Sequence, residues 1–267
     1  MLGDPGHPAA EGPRRYLEGG AEDVFTARGH RVAAELVERE GAGPIAVSKA
    51  LAPVVGRSVA AGRLSLVLAG SCDAALGLLA GFDHSRCGVV WIDAHADFNT
   101  PESSVSGFFP GMTAAVVAGH CHGQLWAQAG DATPVPEERI AMLGTRELSP
   151  EAERKRLKRS AVRVVSWHDG EPEGDVGATL DDLATRVEEV YLHVDNDALD
   201  PAVAPGIVDE PVPGGLSLDQ LEEAVVAVTG RFRLRAVALT TFTPARDRED
   251  RTLRAGLRVM ELVAASL

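Results

Sequence analysis

Val89-Val90-Trp91-Ile92-Asp93-Ala94-His95-Ala96-Asp97 joins an apolar, β-branched run to three metal-capable side chains at alternating positions. Successive side chains of an extended segment point to opposite faces, so Asp93, His95 and Asp97 project to one side. Tyr191-Leu192-His193-Val194-Asp195-Asn196-Asp197 repeats the design, an apolar strand followed by two carboxylates spaced by two. In an open parallel sheet the carboxyl ends of the strands line the crevice where ligands bind, so both clusters are expected to face one space. Four carboxylates and an imidazole gathered there repel one another unless cations neutralise them, and two divalent ions would do so. A lone Asp-x-Asp after a strand is usually a turn or a helix cap. Two of the same form, each closing an apolar strand and each followed by a Pro/Gly-rich loop at 98–111 or 201–215, are not explained as caps.

Outward from these motifs, short runs rich in β-branched residues alternate with longer helix-like segments, the pattern of a parallel sheet covered by helices on both faces. Strands are expected at 64–69, 87–93, 139–143, 162–166, 189–195 and 234–240. Helices are expected over Asp73–Gly81, Met112–His120, Pro150–Lys158, Val176–Val187, Ser217–Val228 and Asp250–Ala265. Ser217 and Gln220 have the spacing of a capping box. Residues 31–37 are a candidate for an additional early strand. With no internal repeat and no low-complexity linker, residues 1–267 read as one α/β domain, and the two Pro/Gly-rich stretches read as active-site loops.

The formal charge of −13, from 26 Lys+Arg against 39 Asp+Glu, excludes the basic surface that nucleic acid or an anionic membrane requires. No apolar stretch approaches the length of a membrane span, and the N-terminus lacks a basic region followed by an apolar run, so a cytoplasmic protein is expected. Three cysteines, Cys72, Cys87 and Cys121, are too few for a disulfide framework and fit a reducing compartment. Among the remaining histidines, His84 and His193 are expected to be packed, and His120-Cys121-His122 to be an exposed helix end.

The segments Asp93-Ala-His-Ala-Asp-Phe-Asn-Thr-Pro101, Asp195-Asn-Asp-Ala-Leu-Asp-Pro-Ala-Val-Ala-Pro-Gly206 and Pro213-Gly-Gly-Leu-Ser217 resemble the ureohydrolase family of arginase and agmatinase. The likeness runs, more loosely, from about residue 60 to the C-terminus. It implies a three-layer α/β/α arginase-like fold and a binuclear manganese centre that activates water against a guanidino carbon. Carried over by position, Asp93 and Asp195 would bridge both ions, Asp97 would complete one site, and His95 with Asp197 the other. Asn99, Ser104 and Ser106 fall where the family holds the amino-acid end of its substrate. Family members are often trimers or hexamers; the chain carries no interface signature from which to read its own state.

Three departures bear on substrate. Where the family has Gly-Gly-Asp-His-Ser, this chain reads Ala69-Gly70-Ser71-Cys72-Asp73, so a histidine ligand becomes Cys72, whose thiolate is still a metal donor. Pro110 stands in place of a proton-shuttling histidine. Thr241 stands where the family grips a guanidinium with a carboxylate. A guanidinium arrives charged, wants a buried anionic partner and leaves poorly without a general acid. An N-hydroxyguanidine is far less basic, binds neutral and can be met by a hydroxyl such as Thr241. The combination is similar to the Nω-hydroxy-L-arginine amidinohydrolase branch linked to D-cycloserine biosynthesis, which yields hydroxyurea and ornithine. In that reading Asp93 and Asp195 position the nucleophile and Asp97 relays a proton to the departing amine. Other readings are a hydrolase of another amidine or amide, agmatinase-like or deacetylase-like, and a silent ureohydrolase-fold binding protein; five of six ligand positions kept intact argue against the last.

Overall fold

The computed structural model describes residues 8–38, 41, 43–208 and 211–267. All six expected strands form, within a residue or two, in one seven-stranded sheet: β1 (Ser65–Leu68), β2 (Cys87–Ile92), β3 (Ile140–Thr145), β4 (Arg163–His168), β5 (Glu171–Glu173), β6 (Glu189–Asp195) and β7 (Arg233–Thr240). Their spatial order is β1-β7-β6-β2-β3-β4-β5, parallel throughout except for β5, which pairs antiparallel with β4. From β2 the chain builds outward through β3, β4 and β5. It then returns to the other side of β2 to add β6 and β7. The order therefore reverses between β2 and β6, the place where open parallel sheets bind ligands.

Strand alternation sorts the core into two halves. Val89, Trp91, Tyr191, Ala236 and Ala238 pack on one face with the helices α3 (Ala46–Ala60), α4 (Ala74–Ala80) and α5 (Thr113–Val117). Val90, Ile92, Leu192, Val194 and Val237 pack on the other with α8 (Val176–Ala184), α9 (Leu218–Thr229) and α10 (Arg251–Ala265). Both faces of the central strands are thus apolar, which is why β2 and β3 read as unbroken hydrophobic runs and the domain has three α/β/α layers. The remaining helices are α1 (Gly12–Glu18), α2 (Ala21–Thr26), α6 (Gly123–Trp126) and α7 (Glu151–Arg159). The capping box at α9 is complete: Gln220 N donates to Ser217 Oγ at 3.2 Å, and Ser217 N donates to Gln220 Oε1 at 2.9 Å.

Several elements differ from the expectation. Residues 31–37 form no strand; they run over the surface beside α3, where Arg57 pairs with Glu35 at 3.0 Å. Helices α1, α2 and α3 had no expected counterpart. Pro53 within α3 and the lack of any N-cap side chain hide it; the helix is sustained by packing against α4, where Gly77 lets the Ser48 backbone approach. The β4–β5 hairpin turns at Asp169-Gly170, both with positive φ (48° and 82°), the two-residue turn that Asp-Gly favours.

Helix α1 is fastened under the sheet rim by Tyr16. Its buried ring lies 4.8 Å from Phe242, and its hydroxyl donates to Asn196 Oδ1 at 3.2 Å. Gly256 of α10 makes room for that ring, since a Cβ there would overlap the Tyr16 ring and hydroxyl. Gly256→Ala is expected to lower folding free energy by about 1–3 kcal/mol, a fall in Tm of roughly 2–12 °C for a chain of this size. Val226→Ala, on the exposed face of α9, is expected to leave Tm within about a degree or two; thermal denaturation of the two variants beside the parent checks both.

Candidate metal centre

Four adjacent parallel strands, β1, β7, β6 and β2, end at the same rim. Asp93 follows β2, Asp195 closes β6, Thr240 closes β7 with Thr241 next, and Cys72 lies four residues beyond β1. Trp91 and Asp93, like Tyr191, His193 and Asp195, alternate onto the face that carries α3 and α4. Register sets Trp91 beside His193, and their rings stack at 3.6 Å with 6° between planes.

Two groups of donors result. Cys72, Asp93, His193 and Asp195 are all buried and offer ligand atoms within 4.8 Å of one another; so do Asp93, His95 and Asp197. Asp93 belongs to both. Its Oδ1 lies 3.3 Å from His95 Nδ1 and accepts from His95 N at 2.7 Å, while its Oδ2 accepts from Trp91 Nε1 at 3.0 Å. Asp195 Oδ2 accepts from Cys72 Sγ at 3.1 Å, Thr240 Oγ1 at 2.8 Å and Thr241 Oγ1 at 2.5 Å; its Oδ1 caps the following turn by accepting from Asp197 N at 2.8 Å. Asp197 Oδ2 sits 3.3 Å from His95 Nδ1.

Asp97 joins neither group, yet its carboxyl is buried and Oδ2 has no hydrogen-bond partner. Its φ of 49° is unusual for a residue other than glycine and aims the side chain away from the strand direction. Glu153 of α7 holds that bend: its buried carboxylate accepts from Phe98 N at 2.9 Å and Ser149 N at 3.1 Å.

Burial pushes the carboxyls of Asp93, Asp97, Asp195 and Asp197 up, and each is pushed further by a neighbouring carboxylate, Asp195 reaching about 7. Burial also raises the Cys72 thiol, with the four carboxylates adding to it. Burial opposes a charge on His95, but Asp197, Asp93 and Glu147 outweigh it and hold its pKa well above the usual value. His193, buried without a carboxylate bond, is lowered to about 3 and is neutral. Concentrated buried anionic groups, an orphaned carboxylate oxygen and neutral imidazole and thiol donors together fit divalent cations.

Asn99, Ser104 and Ser106 lie on the loop after Asp97. Asn99 Nδ2 donates to Ser149 O at 3.0 Å and its Oδ1 accepts from Ser103 Oγ at 2.9 Å, so its side chain braces the loop. Ser104 Oγ accepts from Gly107 N at 3.0 Å and Ser106 Oγ from Phe108 N at 3.2 Å, leaving both hydroxyl protons free for other partners. Thr241 lies against Asp195 with a φ of 56°, an outlier for a β-branched residue. His84 is packed, its Nδ1 donating to Leu79 O at 3.0 Å, and His120 pairs with Glu137 at 2.7 Å. The sequence reading missed Glu153, which looked like one more exposed helix residue. It also missed Arg146, whose guanidinium donates to the carbonyls of Asp197, Ala198 and Val212 and ties the loop after β6 in place. His193 is packed as expected, but it also brings a ring nitrogen to the Cys72 group.

A profile described as the Arginase family matches residues 21–265. The chain is similar to an arginase of Bacillus caldovelox, 32% identical over 215 residues covering 79% of this chain and 71% of that protein. It is also similar to the N(omega)-hydroxy-L-arginine amidinohydrolase of Streptomyces lavendulae, 28% identical over 251 residues covering 91% of this chain and 86% of that one. Among solved structures, arginase from Bacillus subtilis superposes with a TM-score of 0.88 at 28% identity, over 99% of this chain and 95% of that chain.

The raised carboxyls set a pH dependence. Between the ordinary carboxylate value of 3.8 and the value of about 7 at Asp195, the cation-free folded chain binds more protons than the unfolded chain. Its stability therefore falls as pH rises through that window. His95, raised in the fold, acts in the same direction. A divalent cation takes the place of those protons, so the Tm gained on loading the chelated protein is expected to be larger at pH 8 than at pH 5.5. Equal gains by calorimetry at the two pH values would contradict the cluster's electrostatics.

Proposed function

Because the chain belongs to the arginase family, we propose that it hydrolyses a guanidino-type C–N bond at a binuclear divalent-metal centre, with Nω-hydroxy-L-arginine as substrate. One water converts that substrate to L-ornithine and hydroxyurea. The ligands are Cys72, Asp93, His95, Asp97, Asp195 and Asp197, and manganese is the metal that the resemblance implies. When bound, the ions supply Lewis acidity and an activated water. The likeness to the Streptomyces lavendulae enzyme, over 91% of this chain, supports this choice of substrate.

The observation that carries the choice is the chemistry beside Asp97 and Asp195. Pro110 and Gly111 run past Asp97, close enough that a Cβ at Gly111 would lie 4.0 Å from Oδ1. Neither can donate or accept a proton. The residue against Asp195 is the uncharged Thr241. A cationic guanidinium would find neither a counter-charge nor a second proton donor at these two positions. A neutral N-hydroxyguanidine needs neither to the same degree.

In this reading Thr241 donates its proton to Asp195 and keeps its lone pairs to accept from the substrate N–OH. Asp97, its Oδ2 unpartnered among the described residues, takes the proton released when water adds to the guanidino carbon and passes it to the ornithine nitrogen as the C–N bond breaks. Asn99, braced by Ser103 and Ser149, sets the loop on which Ser104 and Ser106 offer hydroxyls to the amino-acid end. Holding that end orients the guanidino carbon.

Product analysis of manganese-loaded protein with Nω-hydroxy-L-arginine, L-arginine and agmatine, side by side, tests the proposal. A missing general acid costs about 10²–10⁴ in rate, and the hydroxylated substrate is expected to lead L-arginine by a factor of that order. Equal or faster release of ornithine from L-arginine would overturn the substrate assignment, and turnover of agmatine alone would move it to another amidine.

A further inference from the structure

We propose that His193 is a metal ligand, completing with Cys72, Asp93 and Asp195 a thiolate–imidazole–carboxylate position that selects a zinc-class ion over manganese. The proposal rests on the binuclear reading above and changes one of its two positions.

Four observations carry it. A ring nitrogen of His193 lies within 4.8 Å of donor atoms from Cys72, Asp93 and Asp195, all four residues being buried. The ring is clamped on both sides of its chemistry: Trp91 stacks on its face at 3.6 Å, and Nδ1 is 2.7 Å from Tyr191 Oη. In the tautomer in which Nδ1–H donates to Tyr191 Oη, the Nε2 lone pair is left on the side of Thr240 and the cluster. Among the described residues the hydrogen-bond contact of Nε2 is Thr240 Oγ1 at 3.4 Å, long for a hydrogen bond and made to a hydroxyl whose proton already goes to Asp195. A nitrogen held this rigidly in the dry centre of a sheet, with its lone pair turned toward a thiol and two carboxylates, has the arrangement of a metal-bound histidine. Such a histidine donates its other N–H to an oriented acceptor, the part Tyr191 takes here. The buried carboxylate oxygen of Asp97 without a partner shows that the surrounding charge calls for a cation.

The consequence is chemical asymmetry. The Cys72 position offers sulfur, nitrogen and two carboxylates, a set that suits zinc, cobalt(II) or iron(II). The position of His95 and Asp197, with Asp93 between the two, offers mostly oxygen and suits manganese. His193 adds a neutral donor, so it offsets the loss of an imidazole to Cys72 without adding charge.

The test is X-ray absorption at the zinc edge of the full chain, stripped by chelation and given one equivalent of zinc, in parent, His193→Gln and Tyr191→Phe forms. The parent is expected to show sulfur and imidazole scattering at the same ion, with the imidazole lost and the sulfur kept in His193→Gln. If the buried glutamine does not fold, Tyr191→Phe serves, since removing the partner of Nδ1 is expected to weaken zinc binding by about 10–100-fold with the ring in place. Sulfur without imidazole in the parent, imidazole retained in His193→Gln, or unchanged affinity in Tyr191→Phe would overturn the assignment of His193 and leave the binuclear reading standing. Failure to take up any divalent ion would overturn both.

Discussion

Asp93, Asp97, Asp195 and Asp197 bring four carboxyls into the dry rim of a parallel sheet, where ionised oxygens lose hydration and repel one another. Much of the local architecture answers that cost. Backbone N–H groups of His95 and Asp197 are turned onto carboxylate oxygens, Trp91 donates from the layer beneath, and Thr240 and Thr241 both donate to Asp195. These donors neutralise only part of the charge. What remains is raised carboxyl pKa values and an unpartnered Asp97 oxygen, the signature of a site whose last partner is a cation.

The supporting structure extends well away from the rim. Glu153 fixes the backbone beyond Asp97, Arg146 gathers the carbonyls from Asp197 onward, and Tyr16 reaches from α1 to Asn196, between Asp195 and Asp197. Each contact joins an element that is distant in sequence to the carboxylate cluster or the residue beside it. Side chains held in this way lose little freedom on binding, and the positive φ at Asp97 and Thr241 places backbone strain beside the cluster.

Much of this was legible from the chain because burial on two faces leaves continuous apolar strands, and their carboxyl ends then mark the site. Asp93, His95, Asp195 and Asp197 were readable for that reason. Glu153 and Arg146 were not, since nothing in a helix rich in Glu and Arg, or in an arginine after a strand, distinguishes a side chain that turns inward. His193 shows the limit most clearly. Alternation said that it shares a face with Asp195, but only the register with Trp91 and the approach of β1 show that the shared face leads to Cys72. Helix α3 was hidden because Pro53 and the missing N-cap side chain mask an apolar stripe, Val47, Leu51, Ala52 and Val55, that packing buries.

The account stands on cations taking the place of protons at these carboxylates. Calorimetric titration of the chelated protein with manganese and then zinc at pH 6, in buffers of different ionisation enthalpy, measures ion uptake and proton release together. Two ions bound per chain with net proton release, diminishing as the titration is repeated toward pH 8, is the result predicted. Uptake with no proton release at pH 6, or no uptake by the folded protein, would contradict it.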